Sequence, residues 1–585
     1  MTDIKKLITE KIDIWSCAVE RNTSMGRGAS KKLELTGINK LKELILELAV
    51  QGKLLPQNPK EQADTLLNSI KVQRANLIKE KVIKRPKKFP EISKDEIAFE
   101  IPSNWAWVRI ADIGHDWGQK KPENEFSYVD VGSINKEYGF IQSPLTLPAS
   151  EAPSRARKIV KKGTVLYSTV RPYLLNIAVV DIDFEPEPIA STAFAIIHPF
   201  EGMNASYIYR YLRSSSFIKY VESCQTGVAY PAVNDKQFFS GVIPIPPAEE
   251  QNRLVQKIDE LFELCDQLEQ QTEASIDAHQ LLVEELLSTL TNSEDAKEFE
   301  QNWARIAEHF DLLFTTEHSI EQLKQTILQL AVMGKLVSQD PTDECASKLL
   351  ERIAQEKEQL IKDKIIKKPK KLPDIELEDE PFSLPNGWKW ARLESLCELI
   401  TKGSSPKWQG VSYTDNPDDV LFVTSENVGL GEMLLEKRKY VEQHFNQIEP
   451  RSILKRNDFL MNIVGASIGR TAIYDQDTLA NINQAVCLIR LAGKHIHKSY
   501  LLRFFNSAIC TSYMYDKQVD NARANLSMGN ISKFVIPVPP VAEQKRIATK
   551  VEQLLEICSL VKSKIVDAKS MQVRLAESVV ERALN

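Results

Sequence analysis

Apolar residues recur at the i, i+3, i+4 and i+7 spacing of one helix face over residues 38–92, and the same spacing returns over 320–375. Gly52 and Gly334 stand at matching places in the two segments, where each apolar stripe stops and prolines follow. The pattern therefore predicts the same set of amphipathic helices twice in one chain.

Two regions of a different pattern, 97–246 and 380–539, follow these helical segments. Short runs of β-branched and aromatic residues, such as TVLYSTV from Thr164 and FLMNIV from Phe459, are separated by turn residues. This pattern predicts two compact mixed α/β domains.

A third pattern, in which apolar residues alternate by four and three, follows each of these domains. Its positions are Leu254, Ile258, Leu261, Cys265, Leu268, Leu282 and Leu286 in the first copy, and Ile547, Val551, Leu554, Cys558, Val561, Ile565, Ala568, Leu575 and Val579 in the second. A sustained heptad predicts a coiled-coil seam, so we expect two helices that each span on the order of 60 Å at ~1.5 Å per residue. An antiparallel pair would hold the two domains at opposite ends of one rod; in the alternative, each helix only braces its own domain.

Four motifs occur in both halves of the chain, near half its length apart. They are ILELAVQGKL at 45–54 with ILQLAVMGKL at 327–336, KEKVIKRPKK at 79–88 with KDKIIKKPKK at 362–371, Trp105-Ala-Trp107 with Trp388-Lys-Trp390, and VIPIPPAEEQNR at 242–253 with VIPVPPVAEQKR at 535–546. The residues between the tryptophan and proline motifs scarcely match. The chain therefore has a duplicated frame that carries two different inserts.

The predicted fold class is α+β (mixed α/β), with two α/β domains separated by two long antiparallel coiled-coil helices in a pseudo-twofold internal repeat, plus helical N-terminal and central repeat segments. The predicted boundaries are 1–96 for the N-terminal helical segment, 97–246 for the first α/β domain, 247–291 for the first long helix, 292–379 for the central helical segment, 380–539 for the second α/β domain and 540–585 for the second long helix.

Composition narrows the class of protein. The chain has 75 basic and 80 acidic residues, and a net charge of −5 argues against indiscriminate coating of nucleic acid, although a local basic face would suffice for DNA binding. No apolar run approaches the ~20 residues of a membrane span, and the start has no signal-peptide pattern, so we expect a cytoplasmic protein.

Cys265 and Cys558 occupy the same heptad place in the two halves and are interpreted as small core residues.

Catalytic motifs are absent from the sequence. It has no Walker A loop, no GxSxG, no HExxH and no Asn-Pro-Pro-aromatic tetrapeptide. His495 and His497 are close in sequence but have no third ligand nearby, which favours solvated side chains over a metal site. We therefore expect no catalytic residue, no metal and no cofactor bound by this chain.

Nucleic-acid signals are stronger. In the first α/β domain, basic residues accumulate with no acidic residue between Glu151 and Asp181, and polar residues suited to base reading are interleaved with them. These first-domain candidates are Arg155, Arg157, Lys158, Lys161, Lys162, Ser168, Arg171, Tyr173 and Asn176. The second-domain candidates are Lys402, Ser404, Ser405, Asn462, Ser467, Arg470, Asn483 and Gln484. The basic stretches 79–88 and 362–371 are equally compatible with DNA backbone contacts and with solvated helix ends.

Taken together, the motifs resemble the DNA specificity subunit of type I restriction–modification enzymes. The resemblance rests on the Pro-Pro-x-x-Glu-Gln openings at 246–251 and 539–544, on the segment from Gly334 to Ile353, and on the turn Gly403-Ser-Ser-Pro406 after two tryptophans. The first domain departs from this pattern, because Gly118-Gln-Lys-Lys-Pro stands in place of the turn.

The resemblance implies a non-catalytic role in which the α/β domains are target-recognition domains. It implies double-stranded DNA, two modification (methyltransferase) subunits and restriction/translocase subunits as partners, and no membrane. Those partners, rather than this chain, would use S-adenosylmethionine, ATP and Mg. The duplicated frame agrees with this role, since it offers two equivalent binding surfaces for one type of partner. The two unlike inserts would read an asymmetric, bipartite site with half-sites about one DNA turn (~34 Å) apart.

Three other interpretations remain open. An autonomous two-headed DNA-binding or architectural protein would bind its site tightly without a partner. A nuclease with an unfamiliar active site would show metal-dependent cleavage by the purified chain. A specificity subunit of a methylation-only system would differ only in having no restriction partner.

Overall fold

The computed structural model describes residues 10–21, 33–86, 88–227, 230–294, 296–516 and 525–584. It divides into unit 1, Met1–Ser275 with Asp567–Asn585, and unit 2, Ile276–Val566. Long helix 1 (Ala248–Asn292) and long helix 2 (Val541–Leu584) each begin in one unit and end in the other. Over the described residues, no helix has the length and apolar character that crossing a membrane requires.

Unit 1 combines short helices with four-stranded sheets. Its other helices are Ile12–Cys17, Thr36–Val50, Ala63–Lys79, Ala205–Leu212, Ser215–Cys224 and Asp235–Ser240. Its strands are β1 Glu20–Arg21, β2 Leu33–Glu34, β3 Ala106–Arg109, β4 Gly114–His115, β5 Phe126–Val129, β6 Ile134–Asn135, β7 Phe140–Ile141, β8 Leu145–Leu147, β9 Ala156–Ile159, β10 Val165–Ser168, β11 Ile177–Val179, β12 Pro188–Ser191, β13 Phe194–Pro199 and β14 Val242–Ile245. The two larger sheets have the strand orders β11-β10-β13-β4 and β8-β5-β12-β9, and β3 pairs with β14.

Unit 2 repeats this design. Its other helices are Ala296–Glu308, Phe310–Leu313, Glu317–Val332, Ala346–Lys362, Leu393–Leu396, Phe445–Ile448, Lys498–Phe505, Ala508–Asp516 and Met528–Ser532. Its strands are β15 Lys389–Arg392, β16 Cys397–Lys402, β17 Tyr413–Thr414, β18 Val420–Val423, β19 Tyr440–Val441, β20 Phe459–Asn462, β21 Thr471–Ile473, β22 Ala480–Ile482, β23 Val486–Leu491 and β24 Val535–Val538. The sheets have the orders β16-β23-β20-β21 and β17-β19-β18-β22, and β15 pairs with β24. The expectation of two mixed α and β domains is confirmed.

A buried glutamate at the start of each long helix joins the repeated motifs. In unit 1, the Trp105 indole N–H lies 3.1 Å from the Glu250 carboxylate and 3.1 Å from the Gln57 amide oxygen. In unit 2, Trp388 donates to Glu543 at 3.0 Å in the same way. The adjacent glutamine of the motif, Gln251 or Gln544, is also buried. In each unit, the hydrogen bond from the indole to the glutamate joins the tryptophan motif to the proline motif. The two motifs are therefore repeated together.

Burial raises the pKa of Glu250 and of Glu543, and the hydrogen bonds from the neighbouring indole and amide only partly oppose it. A raised pKa means that the folded state holds these protons more tightly, so the two groups lower stability as pH rises through their folded pKa values. We expect Glu250→Gln with Glu543→Gln to weaken the fall of the thermal unfolding midpoint between acidic and neutral pH. The neighbouring exposed Glu249→Gln is the control, and an equally steep fall in both variants would contradict the expectation.

The buried stripe of long helix 1 departs from the predicted heptad. The heptad residues Leu254, Ile258, Leu261, Cys265 and Leu268 are buried as predicted, but Leu282 is exposed and Val283 is buried instead. The stripe moves by one residue because a step of four replaces a step of three, so that Val283 and Leu287 are buried instead of Leu282 and Leu286. In long helix 2, Leu575 is likewise exposed, whereas its neighbour Ala576 is buried. Burial of Cys265 and Cys558 confirms that both are core residues.

The units use opposite charges to attach a repeat helix to a long helix. In unit 1, Lys42 lies 2.7 Å from Asp266 and 3.1 Å from Glu269. In unit 2, Lys562 lies 2.9 Å from Glu321. Glu269 and Lys562 occupy the same position counted from the proline motif, so Lys42 of the first repeat helix would face a like charge on long helix 2.

We expect Lys42→Glu to lower the free energy of unfolding by about 1 kcal/mol, because it places three carboxylates together at a partly exposed site. Adding Glu269→Lys should recover most of that loss, since an opposite-charge pair is restored. Denaturant unfolding of both single variants and the double variant gives the coupling energy. Lys71→Glu, at an exposed position of the next helix, is the control for net charge. Additive losses without recovery would contradict a pairing role.

Candidate DNA interface

Loops gather at one end of the β16-β23-β20-β21 sheet in unit 2. Lys402, the last residue of β16, pairs with Cys487 near the start of β23, and Asn462, the last of β20, pairs with Val486. Loops leaving β16 and β20 therefore emerge beside the turn that enters β23. We call the segments 403–409, 463–470, 483–485 and 525–527 loop end 2.

Backbone hydrogen bonds fix these loops to one another. The Ile463 N–H donates to the Ala485 carbonyl at 3.0 Å, and the Leu526 N–H donates to the Ile463 carbonyl at 2.9 Å. Gly403 lies so close to the β22–β23 turn that a Cβ placed on it would be 1.8 Å from the Ile482 carbonyl oxygen. The glycine is required there because of this close approach, not because of its φ angle.

Loop end 2 brings most second-domain candidates together, but in different environments. Lys402 and Arg470 are exposed, and Ser404, Ser405, Ser467, Asn483 and Gln484 are half-buried. Asn462 is fully buried, and its side-chain amide donates to the carbonyls of Ser425 at 3.0 Å and Val428 at 3.3 Å. Asn462 therefore supports the loops from inside the domain and is removed from the contact candidates.

Unit 1 has an equivalent set of loops, 169–176, 192–193 and 230–234, which we call loop end 1. The Thr169 N–H donates to the Ala193 carbonyl at 2.8 Å, and the Val233 N–H donates to the Thr169 carbonyl at 2.9 Å. Thr169 and Ile463 thus have the same backbone role in the two units, although the sequences around them differ.

Arg171 lies at the exposed tip of loop end 1. Its backbone adopts φ 48°, its N–H donates to the Pro231 carbonyl at 2.8 Å, and its guanidinium lies 5.0 Å from the centre of the Tyr230 ring. Tyr173 is also exposed, and Asn176 is half-buried. Arg155 reaches the same end, because its carbonyl accepts from the Thr192 N–H at 2.9 Å.

The basic stretch of the first domain does not form one surface. Lys161 and Lys162 precede β10 whereas Arg171 follows it, so these groups lie at opposite ends of a four-residue strand, about 13 Å at ~3.3 Å per residue. The Lys161 ammonium lies 3.8 Å from the centre of the Trp117 ring.

Three more candidates of that stretch, Arg157, Lys158 and Ser168, donate hydrogen bonds within the domain. Lys158 is 8% exposed and donates to the Phe194 carbonyl at 2.7 Å, and half-buried Arg157 donates to the Ala156 carbonyl at 2.9 Å. Ser168 is buried and donates to the Val170 carbonyl at 2.9 Å. The side chains of Lys158 and Ser168 have structural partners and are removed from the contact candidates.

Sequence reasoning missed two exposed aromatic residues. Trp408 in loop end 2 is 75% exposed, and Tyr230 in loop end 1 is 68% exposed. A tryptophan two residues after the Gly-Ser-Ser-Pro turn was the available signal for Trp408. Tyr230 lies far from Arg171 in sequence, so only the folded chain reveals the pair.

The two closely spaced histidines, His495 and His497, lie in different environments. The sequence predicted a solvated His495. In the structure, its ring Nε2 instead lies 2.6 Å from the Glu356 carboxylate. Burial is the main cause of a lowered pKa for His497. Over the described residues, no group of three or more His, Cys, Asp or Glu side chains is placed to hold a metal ion.

Comparison with known proteins defines the class. The family model for the type I restriction modification DNA specificity domain matches residues 102–278 and 385–568, one copy per repeat. The chain is 36% identical to the type I restriction enzyme EcoAI specificity subunit and 35% identical to the EcoEI specificity subunit, both of Escherichia coli, over 100% of each chain. The chain belongs to the DNA specificity subunits of type I restriction–modification systems.

Solved structures that match this chain include the HsdS subunit from Thermoanaerobacter tengcongensis. That chain is 22% identical, with a TM-score of 0.42 over 84% of this chain and 98% of the other. A second solved structure comes from a study of complex assembly and conformational transition of the type I R-M system. It is 21% identical, with a TM-score of 0.46, and the match covers 83% of this chain and 99% of the other.

Proposed function

We propose that the chain recognises an asymmetric, two-part DNA sequence, with one half read by loop end 1 and the other by loop end 2. The proposal rests on one observation: the frame is repeated in the two units, whereas the exposed loops are not. The two units repeat the same buried contacts at the tryptophan and proline motifs, yet their exposed loop residues differ. A repeated frame with unlike contact groups suits two unlike half-sites.

The side chains that we propose contact DNA are the candidates accessible at the two loop ends. They are Arg155, Arg171, Tyr173 and Asn176 in unit 1, and Lys402, Ser404, Ser405, Ser467, Arg470, Asn483 and Gln484 in unit 2, together with Tyr230 and Trp408. Arginine reads guanine through paired hydrogen bonds, and asparagine or glutamine reads adenine, so both loop ends carry suitable groups. Lys161 and Lys162 lie outside loop end 1.

We also propose that the long helices pair as an antiparallel coiled coil and give the chain a pseudo-twofold repeat. This accounts for their crossing from one unit to the other, and it would set the gap between half-sites. The repeated frame would then offer two equivalent surfaces to two modification subunits, and the assembly would also accept restriction subunits. In this proposal the chain is non-catalytic, and its partners use S-adenosylmethionine, ATP and Mg.

Mapping of N6-methyladenine across the genome of the native host, with and without the gene, tests the proposal. We expect methylation at one split, asymmetric motif to disappear with the gene and to return on complementation. An unchanged methylome, combined with tight specific DNA binding by the purified chain alone, would instead establish an autonomous DNA-binding protein.

We expect Arg171→Ala to weaken discrimination at one position of the first half-site by ~1–3 kcal/mol, because the exposed guanidinium that would bind a base is removed. Binding of the assembled complex to DNA libraries randomised in either half-site measures the effect. Lys162→Ala is the matched control, since it removes a cation at the opposite end of β10. A uniform loss across all sequences would show that Arg171 contacts only backbone.

A further inference from the structure

Over its described residues, which omit Lys87, the basic stretch 79–88 forms the same exposed structure as the stretch 362–371. Each stretch contains six basic residues and one acidic residue, in a chain of net charge −5. We call them basic tip 1 and basic tip 2. The recognition loops differ between the units and these tips do not, so whatever the tips contact occurs twice and is independent of sequence.

The two tips begin with the same backbone turn. The preceding helix ends at Lys79 in unit 1, and Lys81 then takes a left-handed conformation with φ 60°. The Val82 N–H donates back to the Leu77 carbonyl at 2.9 Å. In unit 2, Lys364 has φ 58°, and the matching hydrogen bond from Ile365 to Leu360 is also 2.9 Å. A non-glycine residue held in this conformation twice indicates that the shape of the tip matters.

The cations of the tips are available to a ligand. Lys79, Lys81, Lys84, Arg85 and Lys88 are exposed, and none of them has an ion-pair partner within the described part of the chain. The same holds for Lys364, Lys367, Lys368, Lys370 and Lys371, while exposed Lys362 pairs with Glu358 at 3.0 Å in its own helix.

Each tip packs against the α/β domain of its own unit, and tip 1 reaches the short helix that follows loop end 1. In unit 1, a groove of about 340 Å³ is lined by Lys84 and Arg85 from the tip and by Lys236 from the short helix after loop end 1. Arg74, in the helix that leads to the tip, donates to the Asp112 carboxylate at 2.9 Å. In unit 2, the corresponding groove is lined by Lys370 of the tip and by Glu394, which precedes β16. The grooves also contain carboxylates, so an anion would meet the outer cations of the tip.

We propose that the two basic tips bind the DNA phosphate backbone next to each half-site, supplying affinity that does not depend on sequence. The proposal rests on the proposed function, since it requires the loop ends to face DNA. Phosphates are the repeated, sequence-independent anions of such a complex, and fixed cations gain affinity by releasing counterions. An acidic surface on a partner protein is the competing occupant, because Val82 and Ile365 are also exposed at the tips.

The test uses the assembled complex purified from the native host through a tag on this chain. Tip variant 1 is Lys81→Gln, Lys84→Gln and Arg85→Gln, and tip variant 2 is Lys364→Gln, Lys367→Gln and Lys368→Gln. Lys60→Gln, Lys71→Gln and Lys219→Gln, three scattered exposed lysines of unit 1, form the charge-matched control. DNA binding is measured against salt concentration on cognate and random duplexes, and subunit composition is measured by native mass spectrometry.

We expect each tip variant to reduce the slope of log affinity against log salt by about 0.9 for each phosphate that the tip no longer neutralises. Affinity for cognate and random DNA should fall by the same factor, with assembly intact. An unchanged slope would overturn the proposal. Loss of partner subunits in the tip variants and in Val82→Ser with Ile365→Ser, at an unchanged slope, would assign the tips to a protein partner. Failure of the unmodified complex to prefer any duplex would instead refute the proposed function.

Discussion

Gly403→Ala is expected to abolish recognition of the second half-site while leaving recognition of the first. The added methyl carbon would lie 1.8 Å from the Ile482 carbonyl oxygen and 2.6 Å from the Asn483 carbonyl oxygen. Both contacts are with backbone, so no side-chain rotation relieves them, and loop 403–409 must separate from the turn 483–485. We expect a loss of roughly 3 kcal/mol in the free energy of unfolding of unit 2, at the upper end of overpacking effects.

Binding to DNA libraries with one randomised half-site separates this local effect from general unfolding. Gly529→Ala is the matched control, because a Cβ there meets no atom nearer than 3.8 Å and the residue lies in the helix after loop end 2. We expect wild-type selection at both half-sites from Gly529→Ala. Wild-type selection of the second half-site by Gly403→Ala would mean that this turn takes no part in recognition.

Much of the repeated frame could be predicted from the sequence, because its signals are local or duplicated. The runs from Thr164 and Phe459 became β10 and β20, since short apolar runs bounded by turn residues are typical of buried strands. The duplicated tryptophan and Pro-Pro-x-x-Glu-Gln motifs indicated a shared role. The hydrogen bond between Trp105 and Glu250 required the fold, because 145 residues separate the two side chains.

The candidate interface was predictable only where polar residues directly follow strands. Ser404 and Asn483 were chosen for their polar side chains, and they lie together because one follows β16 and the other precedes β23, its neighbour in the sheet. The basic stretch from Arg155 to Arg171 failed as one surface because a strand, a turn and a second strand distribute it over both ends of the domain. Residues that are close in sequence are separated in space when the chain reverses direction between them.

Burial was the other property that the sequence could not provide. Lys158 and Asn462 have side chains suited to DNA, yet both are buried with carbonyl partners from strands or loops distant in sequence. The shift of the buried stripe to Val283 in long helix 1 has a similar origin, because packing inside unit 2 selects which of two adjacent apolar residues faces inward.

Exchange of one recognition domain should change one half-site and leave the other intact, and the structure indicates where to join the segments. The Ile110 N–H donates to the Gly241 carbonyl at 2.8 Å, so the chain enters and leaves the first domain at adjacent points. Replacement of 110–241 by the corresponding segment of another family member keeps the β3–β14 pair and the Trp105–Glu250 contact in the frame. A join at 97–246, by contrast, would replace both β3 and Trp105.

The donor segment must retain two contacts that join the domain to the frame in both units. The Tyr207 hydroxyl donates to the Pro244 carbonyl at 2.7 Å, and the Asn204 N–H donates to the Gln251 side chain at 2.9 Å. Unit 2 makes the same contacts through Tyr500 and the His497 N–H, so a donor with a tyrosine at this position is expected to fit. Methylome mapping of the chimaera should show a new first half-site, with the second half-site and the gap unchanged, because loop end 2 and both long helices are untouched. Simultaneous change of both half-sites would refute independent reading by the two units, and a changed gap would refute the role of the long helices as the spacer.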